Sequence, residues 1–179
     1  MARVRFALLV IFTVLLAVPG ARAASLHAAA GPDVKPPDPD YQYFRQVFDC
    51  SAPVSILNLA PDTVDTLRGD TTGGVNQIEN YPCAPWNEPG PEHIYRIEVP
   101  TGDVEVSFAL REVGPEVDHD LFLLNACDTD SCLAGANTEI TALLTPGTYY
   151  LVIDATKVGD ATEGPYTVAL EVRYPGVPP

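Results

Sequence analysis

Carboxylates are the residues of this chain best placed to do chemistry. Asp118-His119-Asp120 opens an apolar stretch that runs to Leu124. Residues two apart in a strand share a face, so Asp118 and Asp120 stand side by side. Like charges at that spacing are costly unless a cation or hydrogen-bond donors compensate them. Asp154 ends a second apolar stretch and Glu92 opens a third, which places both near the same rim. Ca2+ is bound by sets of carboxylate and carbonyl oxygens. Asp118, Asp120, Asp154 and Glu92 therefore form a candidate Ca2+ site. The alternative is that they are solvated or turn-capping carboxylates. Asp128-Thr129-Asp130 also alternates acids, but it lacks the later Glu of an EF-hand loop and suits a tight turn.

Catalytic patterns are scarce. The histidines are His27, His93 and His119, and no Gly-x-Ser-x-Gly elbow or His-Glu-x-x-His pair accompanies them. Acids are abundant enough that a glycosidase-type carboxylate pair stays open. Among the aromatics, Trp86 and Tyr81 fall in a Pro-rich loop and are candidate ligand-binding residues, able to stack on a sugar or anchor a protein partner. The alternative for Trp86 is that it covers one end of the core beside Cys83.

The compartment is legible at the N-terminus. Arg3 and Arg5 precede an apolar run from Phe6 to Val18, then Pro19-Gly20 and the small-x-small sequence Ala21-Arg22-Ala23. That layout predicts a signal peptide over residues 1–23, too short an apolar run to stay as a membrane span. The formal net charge of −14 becomes −17 once Arg3, Arg5 and Arg22 are removed. Such a surface repels nucleic acid and anionic membranes, so neither is an expected partner. Cys50, Cys83, Cys127 and Cys132 make an even set behind an export signal, which reads as two disulfides. Of three possible pairings, the short loop between Cys127 and Cys132 favours Cys127–Cys132, leaving Cys50–Cys83. In the loop-entropy account those bridges contribute about 2 and about 4 kcal/mol.

The elements that must position these residues are strands. Residues 24–49 are Ala- and Pro-rich and predict a tether, with a short helix over Tyr41–Phe48. From residue 50 to 174 the pattern is β. His93–Val99, Val104–Leu110 and Pro165–Val172 alternate apolar and polar residues. Leu121–Leu124 and Thr148–Asp154 are nearly continuous apolar runs, and Ser51–Leu59, Thr63–Arg68 and Ile140–Leu144 complete eight candidates. Short strands joined by Gly/Pro turns predict an all-β, jelly-roll-like antiparallel β-sandwich.

Five segments, in order, carry a family resemblance. They are Glu92-x-x-Tyr95-x-Ile97-x-Val99, Gly102-Asp103-Val104-x-Val106, Asp118-x-Asp120-Leu121-Phe122-Leu123-Leu124, Pro146-Gly147-Thr148-Tyr149-Tyr150-Leu151-Val152-Ile153-Asp154 and Gly164-Pro165-Tyr166-Thr167-Val168. Together they resemble a bacterial pre-peptidase C-terminal domain, and the run from Tyr81 to Glu92 around Cys83 resembles its cysteine-containing branch. The resemblance implies a jelly-roll-like sandwich related to the collagen-binding domains of clostridial collagenases, which bind calcium and a protein ligand. Their calcium ligands precede the first core strand. Here that region offers Asp70, Glu79, Glu88 and Glu92, at different spacings.

The expectation is an exported, monomeric, non-catalytic binding or accessory module for a protein or polysaccharide ligand, with Ca2+ as its one candidate cofactor. The alternatives are a carbohydrate-binding protein using loop aromatics and a small secreted hydrolase.

Overall fold

The computed structural model describes residues 26–27, 37–60, 63–113, 117–156 and 163–175, except the side chains of residues 26, 27, 112 and 113. The expected signal peptide and most of the Pro-rich stretch lie outside the described residues. Ten strands are seen among the rest: β1 (Leu26–His27), β2 (Ser55–Asn58), β3 (Val64–Asp70), β4 (Glu92–Val99), β5 (Val104–Val113), β6 (His119–Leu124), β7 (Cys132–Ala136), β8 (Glu139–Leu144), β9 (Gly147–Ala155) and β10 (Pro165–Arg173).

They form an all-β sandwich of two sheets, ordered β1-β8-β5-β10-β3 and β2-β4-β9-β6-β7. Every pairing is antiparallel except β2 against β4, which is parallel. The alternating strands behave as their period demands. Tyr95, Ile97 and Val99 of β4 face Val104, Val106 and Phe108 of β5 and Tyr166, Val168, Leu170 and Val172 of β10 across one apolar core.

The β6 run reads differently because it is buried on both faces. Leu121 and Leu123 enter the inter-sheet core, while Phe122 and Leu124 point outward into a second cluster with Phe48, Ile78, Tyr81, Ala84, Trp86, Ile94 and Val152. That outer face is closed by a cover of two chain segments, residues 37–50 and the loop of residues 76–88. Tyr81 lies flat on Phe122, with ring centroids 3.6 Å apart and planes 10° from parallel.

The cover corrects two expectations. Residues 41–48 make no helical turn but cross the sheet extended, anchored by Phe48 N–H to the Cys127 carbonyl at 3.3 Å and by Thr129 N–H to the Gln46 carbonyl at 2.9 Å. Polar anchors of this kind and the burial of Phe48 make the second half of the expected tether part of the fold. The disulfides are also paired otherwise. Cys50 bonds Cys127, and Cys83 bonds Cys132, in place of Cys50–Cys83 and Cys127–Cys132. The residues between Cys127 and Cys132 instead form a short 3-10 turn, with the Asp128 carboxylate capping Asp130 N–H, and each cysteine holds a different half of the cover. Sequence separations of 77 and 49 mean that each bridge constrains the unfolded chain by about 4 kcal/mol.

Candidate functional site

Three of the expected site residues converge. Glu92, Asp154 and Asp120 begin or end β4, β9 and β6, and register pairs Glu92 with Asp154 and Asp154 with Asp120. Strand alternation puts all three on the covered outer face, one row beyond Ile94, Val152 and Phe122. Asp120 and Asp154 are fully buried and Glu92 nearly so. Asp118 lies a further step out, partly exposed, and its carbonyl takes the Thr156 N–H at 2.9 Å. Glu88, from the cover loop, is the third fully buried carboxylate.

Neighbouring strands bring directly opposed side chains close together, so a row of charges is destabilising there. Donors from the cover relieve it. Tyr81 Oη donates to Asp154 Oδ2 at 2.6 Å, and Gln77 N–H points at both Glu92 oxygens at 3.1 Å. Thr156 Oγ1 lies 2.5 Å from Glu88 Oε2 and 3.3 Å from Asp120 Oδ2. The remaining oxygen of Asp154, Oδ1, has no hydrogen-bond partner among the described residues. Protons relieve the rest. Burial first, and then the charges of Glu92 and Asp120, push the Asp154 carboxyl well above the usual range. Burial pushes Glu92 up to about 7 against the pull of its backbone hydrogen bonds. Burial, followed by the Asp154 charge, likewise raises the Tyr81 phenol, keeping it a donor.

The oxygen set is of the hard kind that Ca2+ prefers. Among the described residues, however, no three His, Cys, Asp or Glu side chains are grouped to hold a metal ion. Glu92, Asp120 and Asp154 already accept protein donors. As arranged, the row ties the cover to the sheet.

The expected ligand-binding aromatics are placed inside. Tyr81 is fully buried between Asp154 and Phe122, and Trp86 is buried in the second cluster, against which Cys83 packs. The two histidines whose side chains are described face the other way. His119 Nε2 lies 2.9 Å from Thr71 Oγ1, while His93 Nδ1 and Tyr95 Oη each lie 2.7 Å from Tyr166 Oη, in a chain between the sheets. Sequence reasoning did not assign Glu88 and Tyr81 to this row. Their only signal was an acid and an aromatic in one Pro-rich loop.

Fold and site together define an acidic, disulfide-stapled β-sandwich with an internal carboxyl row. No family model matches the chain, and no curated protein matches it. Among solved structures, it is similar to the pre-peptidase C-terminal domain of a Bacillus anthracis collagenase at 17% identity and a TM-score of 0.39, covering 67% of this chain and 98% of that one. It is also similar to periplasmic inhibitors of g-type lysozyme from Aeromonas hydrophila (8% identity, TM-score 0.43, 68% of this chain and 98% of that one) and Salmonella Typhimurium (15%, 0.36, 66% and 98%). Likenesses of this size leave function to be read from the chain's own residues.

Proposed function

We propose that this chain is an exported, non-catalytic module that binds a macromolecular ligand on the outer surface of its cover. One observation carries the reading. A segment and a loop are fixed by two disulfides onto a rigid sheet, and binding residues are commonly carried on loops held by such scaffolds. Export fits the same bridges, which persist in oxidising compartments. The non-catalytic part is supported by where the reactive groups lie. His119 and the acidic row are interior, and all four cysteines are oxidised.

The test is direct binding of the mature chain to protein and polysaccharide probes beside turnover assays on ester, glycoside and peptide substrates. Saturable binding without turnover is the expected result. Turnover that co-purifies with the chain overturns the proposal in favour of a hydrolase. The carbohydrate reading through Trp86 and Tyr81 needs both rings to leave the interior.

Calcium is tested separately, by melting the protein in EDTA and in excess Ca2+. An unchanged melting temperature is the outcome that the existing hydrogen bonds favour. A rise on adding Ca2+ would assign an ion to the Glu88, Glu92, Asp120 and Asp154 row.

A further inference from the structure

Between the two halves of the cover runs an open groove of about 450 Å³, lined by Asp40, Gln42, Phe44, Glu79, Asn87 and Pro89. Its walls are built rather than incidental. Phe44 N–H donates to Asn80 Oδ1 at 3.2 Å, and Asn80 in turn pairs its backbone with Asn87, so a buried amide joins the two sides. Glu79 is fixed by its own N–H, which donates to Gln46 Oε1 at 2.9 Å, and by its carbonyl, which accepts Glu88 N–H at 2.7 Å. Asn87 Nδ2 donates to Asp38 Oδ2 at 3.0 Å, holding the other wall.

Two features of this groove call for a particular occupant. Phe44 is half exposed although it sits on an anchored segment, so its ring is left open to a partner. Asp40 and Glu79 are exposed acids beside it, and among the described residues no cation lines the groove. Arg45, next to Phe44 in the chain, is bound instead to Asp128 and Asp130. Arg96 and Arg173 are likewise paired, with Glu98 and Glu171. The whole chain carries 10 Lys and Arg against 24 Asp and Glu.

We propose that this groove receives a lysine or arginine side chain from a basic polypeptide partner. The cation would lie over the Phe44 ring, where cation–π attraction acts. Asp40 and Glu79 would supply charge, and the side-chain amides of Gln42 and Asn87 would bond the partner's backbone. Charge complementarity selects this occupant over a neutral sugar, which has no use for two carboxylates beside an open ring. The inference rests on the binding-module reading and names the partner class and the place.

The test titrates the mature chain with a fluorescent hexa-arginine peptide at moderate salt, with hexaserine and a chitin oligosaccharide as neutral probes. Bulk charge alone would attract hexa-arginine, so two paired variants are compared. D40N/E79Q removes two charges at the groove. E105Q/E139Q removes two from the outer face of the other sheet. The expected result is a loss of tenfold or more for the groove pair, severalfold for F44A, and less than twofold for the distant pair. Equal losses in both pairs, or none in either, overturn the proposal, as does tighter binding of the chitin oligosaccharide than of hexa-arginine. All substituted residues but Glu139 are exposed and Glu139 is partly so; melting curves confirm that the variants fold. If a macromolecular ligand is held equally well by the wild type and D40N/E79Q, this inference fails while the broader binding proposal stands.

Discussion

Glu92 is the residue whose chemistry reaches furthest. In the folded chain it keeps its proton up to about pH 7, whereas the ordinary glutamate value is 4.5. Between those limits the folded state binds more protons than the unfolded one, so stability falls as pH rises through that window and levels off above it. Asp154, raised for the same reason, acts in the same direction. Asp49, Asp70 and Asp128 are lowered, chiefly by hydrogen bonds from Ser51, Thr72 and Arg45, and take stability away only as pH falls below about 3.8. The melting temperature should therefore be higher at pH 5 than at pH 8, and E92Q should shrink that difference. Equal values at both pH settings for the wild type would contradict the raised Glu92 and Asp154 carboxyls. Y81F should cost about 1–3 kcal/mol by chemical denaturation, because the buried Asp154 loses its donor. The period-two rule made Glu92, Asp120 and Asp154 legible as one group. It could not show that a loop would cover them, so exposure to a cation was expected where enclosure by Tyr81, Gln77 and Thr156 is found.

At the scale of elements, eight strands were legible because their apolar residues alternate or run together. The antiparallel rule missed only the parallel pairing of β2 with β4. β7 was not legible. Its sequence, Cys-Leu-Ala-Gly-Ala, has no β-branched or aromatic residue to announce a strand. Packing explains the small side chains. A Cβ added at Gly135 would lie 2.9 Å from Phe122 Cε1 and 3.2 Å from Ala84 Cβ, so the cover above Phe122 leaves no room there. G135V should destabilise the chain by about 1–3 kcal/mol, read from the urea midpoint. An unchanged midpoint would mean that the loop around Ala84 yields freely. The same contact explains the continuous apolar run of β6, whose outward residues need a roof as much as its inward residues need the opposite sheet.

For the molecule as a whole, the roof is half of the fold's second core, and composition hid it. Proline and alanine density before residue 50 reads as a tether, yet Phe48 is buried and Tyr41 Oη donates to the Tyr81 carbonyl at 2.6 Å. F48A should therefore cost about 3–5 kcal/mol, the range for a buried aromatic, where a tether residue would cost nothing. Thermal melts of the two proteins decide between those values. The disulfide pairing was misread for a related reason. Loop length alone favoured Cys127 with Cys132, but tertiary demand sends each to a different half of the roof.

The two bridges interleave along the chain, which bears on how they would form during export. If the chain is exported as proposed, threading outward from its N-terminus presents Cys50 and Cys83 to an oxidant before Cys127 and Cys132 have emerged. Consecutive oxidation would join the first two, a non-native bond that only thiol–disulfide exchange can undo. Maturation should accordingly lean on an isomerase. Cells that oxidise exported thiols but cannot reshuffle them should accumulate a Cys50–Cys83 species, separable by non-reducing peptide mapping from the native form.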